Sequence, residues 1–315
     1  MLDMCLELLF LGTGTSTGVP MIGCRCGVCT SDDPRDTRSR ASVLVRYPRP
    51  ADAPPPDRLS DEGRRLLGTA GSASSSADPA HGRDGPPDRV NILVDVTPDI
   101  RSQSLREALD WLDAVMLTHA HADHTMGIDD LRRYNAIMDA PLDIYAEPGV
   151  HEQLGQAFGY IFNPSRNGKE SFIANLLPFP VAVHDPIALH GAAWTPIRLM
   201  HGRLPIVGYR VDWDGRSIAY CTDVSTIPPE TWPMLEGLDV FVVDGLRYRH
   251  HPTHMTIDRA IEVCEQVGAT RSFLTHMSHD VSHAAQQATM PQGVALAHDG
   301  LCVSVGADRA VAVAQ

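Results

Sequence analysis

The sequence predicts an α/β-type fold with mixed sheets, and three observations carry that expectation. Short runs rich in Leu, Val and Ile recur from about residue 6 to residue 275. Helix-patterned segments lie between them, and no internal repeat interrupts the alternation. Strands interleaved with helices in this way build sheets that mix parallel and antiparallel neighbours. With 315 residues, 43% hydrophobic and 21% charged, the chain has an ordinary globular composition and enough length to bury a core as a single domain over 1–315.

Residues 6–11 predict a first strand that enters the glycine-rich turn Gly12–Gly18, and 41–47 and 91–96 predict the next two. Between those two, residues 48–89 hold eight of the 24 prolines and a Ser/Ala run. Such a segment has little apolar surface to bury and predicts a disordered insertion within the domain. Without it the flanking strands form a plain hairpin. Its six basic and seven acidic residues leave the acidity of the chain to the folded part. Beyond it, 98–109 predicts a helix with Pro98 near its start, and 113–117 a strand. Helices are predicted near 127–138 and 148–159, with strands near 142–146, 181–184, 195–200, 206–212, 217–221 and 239–243. A helix at 256–267 leads to a strand at 271–275, and short elements finish the chain.

The formal charge is −13, from 26 Lys+Arg and 39 Asp+Glu. This argues against a nucleic-acid partner, which calls for a basic face, and against docking on anionic membranes. No apolar run reaches the roughly 18 residues of a membrane span. The first residues lack a basic region and are interrupted by Asp3 and Glu7, so no secretory signal is expected. Seven cysteines cannot all pair, and three crowd into Cys24, Cys26 and Cys29. The expectation is a cytoplasmic protein whose crowded thiols bind metal. A homodimer is left open.

The strongest chemical signal is Thr118-His119-Ala120-His121-Ala122-Asp123-His124, directly after a buried strand. A strand end followed by a tight loop aims three imidazoles and a carboxylate at one point, the donor set a divalent ion needs. Other strand ends repeat the geometry: His201 ends the strand 195–200, Asp223 follows 217–221, and His276 follows 271–275.

With these residues in place the chain resembles the metallo-β-lactamase superfamily, through His-x-His-x-Asp-His at 119–124 and then a later His, Asp and His in that order. The resemblance implies an αββα sandwich of two mixed sheets flanked by helices, with a cleft for two divalent ions, Zn or Mn, at one edge. It implies that His119, His121 and His201 hold one ion and that Asp123, His124 and His276 hold the other. Asp223 would bridge both. A bridging aspartate suits a phosphodiesterase-like hydrolase better than the lactamases, which often use cysteine at that step, and nearby Cys221 reads as packing.

Cys24-x-Cys26-x-x-Cys29 offers three thiolates on one short loop, which suits a closed structural zinc with a fourth ligand. His279, three residues after His276, is the first candidate and His283 the rival. Together with the Gly12–Pro20 turn, this triplet resembles the phosphoribosyl 1,2-cyclic phosphate phosphodiesterase branch. That branch carries such a zinc beside its two-metal site. The likeness covers most of the chain except 48–89.

The function implied is hydrolysis of a small phosphate ester, cyclic forms included, by a hydroxide activated at a dinuclear metal site. Asp123 and Asp223 would orient the nucleophile, and His254 would supply a proton or positive neighbour to the leaving oxygen. Asp95 is expected to brace the histidine loop, and the Thr13–Gly18 turn to offer N–H groups near the cleft. Arg38 and Arg40 read as a solvated face. The competing readings are a tRNA 3′-end endonuclease or a thioester hydrolase of the same superfamily, and a non-catalytic metal scaffold.

Overall fold

The computed structural model describes residues 4–51, 86–162 and 173–314. The first strands are β1 (Leu6–Gly12), β2 (Ser42–Pro48), β3 (Arg89–Val94), β4 (Ala114–Met116), β5 (Leu142–Ala146) and β6 (Leu176–Pro180). They are followed by β7 (Ile187–Leu189), β8 (Ala192–His201), β9 (Leu204–Trp213), β10 (Arg216–Cys221) and β11 (Val240–Asp244). The last are β12 (Arg271–Thr275), β13 (Val294–Leu296), β14 (Cys302–Val305) and β15 (Val311–Ala314). They form an eight-stranded sheet in the order β15-β14-β1-β2-β3-β4-β5-β6 and a seven-stranded sheet in the order β13-β12-β11-β10-β9-β8-β7. Each sheet mixes parallel and antiparallel pairs.

Both faces of each sheet are covered. Phe10, Tyr47, Trp194, Tyr209 and Phe273 fill the layer between the sheets. The outer face of the first sheet packs Leu11, Leu93 and Ile144 against α1 (Ile100–Arg106), α3 (Arg132–Met138), α4 (Pro148–Ala157) and α5 (Gly159–Phe162), while the short α2 (Ala122–Thr125) carries part of the histidine motif. The outer face of the second packs Leu199, Phe241 and Val243 against α6 (Ile257–Val267), with α7 (His283–Gln287) nearby. Burial on both faces explains why β11 reads as an apolar run up to its terminal Asp244 and why only Glu7 interrupts that of β1. The architecture is the expected αββα sandwich. Its helix α6 has clear ends: the Thr256 side chain accepts from Arg259 N–H, and Gly268, at φ 64, closes the last turn.

Some expected elements moved. The strand expected at 181–184 lies instead at Leu176–Pro180, where Pro178 and Pro180 are tolerated because β6 is an edge strand. The short elements at the end include β14, which pairs with β1 (Leu8 opposite Val303) and builds the first sheet outward. The hairpin of β2 and β3 holds, with Tyr47 opposite Val90. It reaches into the ends of the expected insertion, where Arg49 N–H donates to Asp88 O and its guanidinium pairs with Asp113 at 2.7 Å. The rest of that insertion, 52–85, lies outside the described residues.

The topology places the site. β10, β11 and β12 run parallel as neighbours, so their carboxyl ends share one edge. Asp95, Asp223 and His276, just past β3, β10 and β12, have left-handed backbones with φ of 65, 56 and 58°. Each turns the chain sharply as it leaves its strand.

Candidate metal centre

The histidine motif is held from beneath. Buried Asp95 accepts from Thr118 N–H at 2.9 Å, and its other oxygen lies 2.7 Å from His124 Nδ1. A ring held at Nδ1 presents Nε2 to the cleft, and a carboxylate behind it fixes the tautomer. His201 is fixed likewise, its Nδ1 2.9 Å from Thr253 O. Ligand atoms of His119, His121 and His201 lie within 4.8 Å of one another, as do those of Asp123, His124, Asp223 and His276. Asp223 stands between the two groups. Its oxygens are 3.1 Å from His124 Nε2 and 3.3 Å from His276 Nε2, and it is also grouped with His201 and His254. All seven residues picked out as strand-end ligands therefore meet.

The donor set fits divalent ions. Nε2 of His119, His124 and His276 is buried without a hydrogen-bond partner, and such atoms in a native core call for an explanation. Three orphaned imidazole nitrogens converging with two carboxylates match the chemistry of a divalent-ion site. The charges agree. Despite burial, His276 and His124 hold Asp223 well below the usual carboxylate range, and His124 and His276 do the same for Asp123. In return, and against burial, Asp223 raises His124 well above the usual histidine range and His276 to about 9. The carboxylates demand positive charge at this spot, and an ion taking it up would displace those protons.

His254 stands at the rim, its ring 4.7 Å from His201 and 4.8 Å from His276. Its Nδ1 lies 2.6 Å from Asp244 Oδ2. Burial, then His276, push the ring down to about 4, so it is neutral near pH 7. Asp244 is a residue the sequence reading missed. It ends β11, between the strands that deliver Asp223 and His276, so the rule that found those two also covers it.

The second cluster forms with His279. Its Nδ1 is 3.2 Å from Cys24 Sγ and 3.5 Å from Cys26 Sγ, and these atoms with Cys29 Sγ lie within 4.8 Å of one another. The Cys29 N–H, with help from His279, pulls the Cys26 thiol down to about 6. Three sulfurs and one imidazole nitrogen fit a tetrahedral structural ion. The rival His283 is buried elsewhere, with its N–H on Asp36. Cys221 is fully buried and burial pushes its thiol up, in keeping with packing.

Two expectations fail. Arg38 is not on a solvated face: it is 1% exposed, pairs with Asp36 and donates to Ser278 O and Val281 O. Periodicity cannot reveal a buried guanidinium whose partners are carbonyls some 240 residues away. The N–H groups at the start of the glycine turn do not face the cleft. Those of Thr13, Gly14 and Thr15 go to Asp299, Ser39 O and Met277 O. The turn instead clamps the segment carrying His276 and His279. Arg40 is partly exposed and pairs with Asp99.

The likeness to known proteins follows the same lines. Residues 90–277 match the family model described as a Beta-lactamase superfamily domain. An octanoyltransferase of Porphyromonas gingivalis is 34% identical over 301 residues, 94% of this chain; the match spans 51% of that protein, so the chain covers about half its length. Among solved structures, a diphosphatase from the PhnP family superposes with a TM-score of 0.75 at 35% identity, covering 96% of this chain and 97% of that one. Zinc-bound PqqB from Methylobacterium extorquens shares the fold, with a TM-score of 0.65 at 18% identity and 94% and 99% coverage. Among the described residues no helix is long and apolar enough to cross a membrane. With the ligand geometry, sandwich and family match in agreement, this chain belongs to the β-lactamase superfamily and has the metallo-β-lactamase fold.

Proposed function

We propose that the protein is a metal-dependent phosphohydrolase that cleaves a small diester-type phosphate at a dinuclear site. The observation that carries this reading is Asp223, set between the His119–His121–His201 group and the Asp123–His124–His276 group, with the His254–Asp244 pair at the rim. A pair of Zn or Mn ions held there supplies Lewis acidity and a nucleophile from water at neutral pH. Asp123 and Asp223, kept ionised, orient the attacking water. His254, neutral and fixed at Nδ1 by Asp244, takes a proton at Nε2 and gives it to the leaving oxygen, while Asp244 stabilises the transient imidazolium. The Cys24–Cys26–Cys29–His279 group holds a structural zinc. None of the seven cysteines is paired in a disulfide, which suits a cytoplasmic setting.

The solved relative named as a diphosphatase supports a substrate with a disubstituted phosphorus. The transferase name belongs to a protein about twice as long as the matched segment, and it does not guide the reading of this half. The charge of −13 disfavours a tRNA substrate. The test is a panel of cyclic and linear phosphodiesters, dinucleoside diphosphates, pre-tRNA and acyl thioesters, offered to the Zn- or Mn-loaded protein. Turnover of diesters or diphosphates is expected. Faster turnover of thioesters or pre-tRNA would overturn the reading.

A further inference from the structure

Resting on the phosphohydrolase reading, one more conclusion concerns a pocket of about 510 Å³ beside the metal centre, between the turn at Gly202 and the 250–259 segment. Gly202, at φ 64, lets that turn close on Thr253: a Cβ there would sit 2.8 Å from Thr253 Cγ2. Arg203 lines this pocket together with His251 and His254. Arg259 and the N-cap Thr256 of the eleven-residue helix α6 border the same space, so the positive end of that helix adds to the field.

The pocket departs from the rest of the molecule in charge. In a chain with 39 Asp+Glu and 26 Lys+Arg, its twelve lining residues include two Arg, three His and no carboxylate. Arg259 is shared with Glu262 at 2.7 Å. Arg203 is exposed and makes no hydrogen bond or ion pair with a described residue. An unpaired guanidinium lining a pocket beside a catalytic centre is a receptor for a phosphoryl or carboxylate group.

His254 belongs both to this pocket and to the rim of the metal centre. The group that protonates the leaving oxygen must touch it, so whatever that oxygen carries extends past His254 into the pocket. We propose that the pocket binds the leaving group, that the leaving group carries a phosphoryl charge, and that Arg203 is its main determinant. Hydrolysis adds water across the scissile P–O bond: the hydroxyl joins the scissile phosphorus, and the proton passes through His254 to the leaving oxygen.

The test pairs dithymidine 5′,5′-diphosphate, which releases thymidine 5′-monophosphate, with bis(4-nitrophenyl) phosphate, whose leaving group bears no phosphoryl charge. Arg203→Gln is expected to raise KM for the diphosphate about tenfold and to leave kcat/KM for the nitrophenyl ester within about twofold, with partial recovery in Arg203→Lys. Equal effects on the two substrates, or none on the diphosphate, would overturn the proposal. Binding of thymidine 5′-monophosphate to protein without added metal gives a second readout. Wild type should bind it and Arg203→Gln should lose about fivefold or more; no binding by wild type, or equal binding by both, also overturns the proposal. Intact monophosphate binding with no turnover of either ester would instead sink the hydrolase reading and leave the pocket assignment standing.

Discussion

His254 Nδ1 stands 2.6 Å from an oxygen of Asp244, a carboxylate with 0% exposure at the end of β11. A neutral ring at the rim of a metal cleft can turn in several ways, and this contact selects one. Burial pushes the Asp244 carboxyl well above the usual carboxylate range, so it takes on charge most readily when the ring beside it is protonated; Asp244→Asn keeps the shape and removes that response. It is expected to lower kcat about 10²-fold with little change in KM. The double variant with His254→Ala should be no slower than His254→Ala alone, because the two act as one unit. Steady-state kinetics of the four proteins decide it; additive losses would mean that Asp244 acts independently.

Asp95 is fully buried, and it holds both Thr118 and His124. Asp95→Ala is expected to weaken metal affinity roughly 10–100-fold. Competition with a fluorescent chelator measures this directly. Unchanged affinity would show that the loop is shaped by other contacts.

Much of this centre was legible in the sequence because each ligand sits at a strand end, where an apolar run stops at a histidine or aspartate. The dense 119–124 motif needed no partner to be read, and His201, Asp223 and His276 followed from the same rule. Asp244 obeys that rule and still escaped, because a lone aspartate ending a strand is also how ordinary turns begin. Arg38 escaped for a different reason: its role comes from contacts with the 278–281 segment, far away in sequence. The edge strand β6 was misplaced because Pro178 and Pro180 look like loop residues until the sheet order shows that one side needs no partner.

The cysteine cluster should separate stability from chemistry. Cys26→Ser is expected to remove one metal equivalent per chain and lower Tm, while the folded remainder keeps the metal at the histidine centre. Metal analysis and thermal melts check both halves. Loss of activity with unchanged Tm would argue against a structural role.

Gly127 follows α2 and the histidine motif, and a Cβ there would fall on Thr97 O, with Ile100 Cγ2 only 2.7 Å away. Gly127→Ala is therefore expected to cost more than about 2 kcal/mol, and to disturb metal binding through the displaced motif. Urea unfolding and metal titration report the two effects; a loss below about 0.5 kcal/mol would show that the backbone yields easily.

His283 gives a dependence on pH. Burial, then Arg35 and His298, push it down to about 4. The unfolded ring, at about 6.5, binds its proton first, so this group's contribution is complete above about 6.5 and fades as pH falls through about 4. The loss across that window is at most about 3 kcal/mol. His283→Gln should flatten this part of the curve relative to wild type, read as the difference in urea midpoint between pH 7.5 and 4.5. Parallel curves would assign the acid loss to other groups.

The left-handed backbones at Asp95, Asp223 and His276 change how any substitution there is to be interpreted. Among ordinary side chains, asparagine and aspartate accept that conformation most readily, and β-branched residues resist it. Asp223→Asn thus alters charge alone, whereas Asp223→Ala or Asp223→Val alters charge and local geometry together. At the two aspartates the amide isostere isolates the electrostatic contribution, and a scan limited to alanine would merge two separate causes into one number.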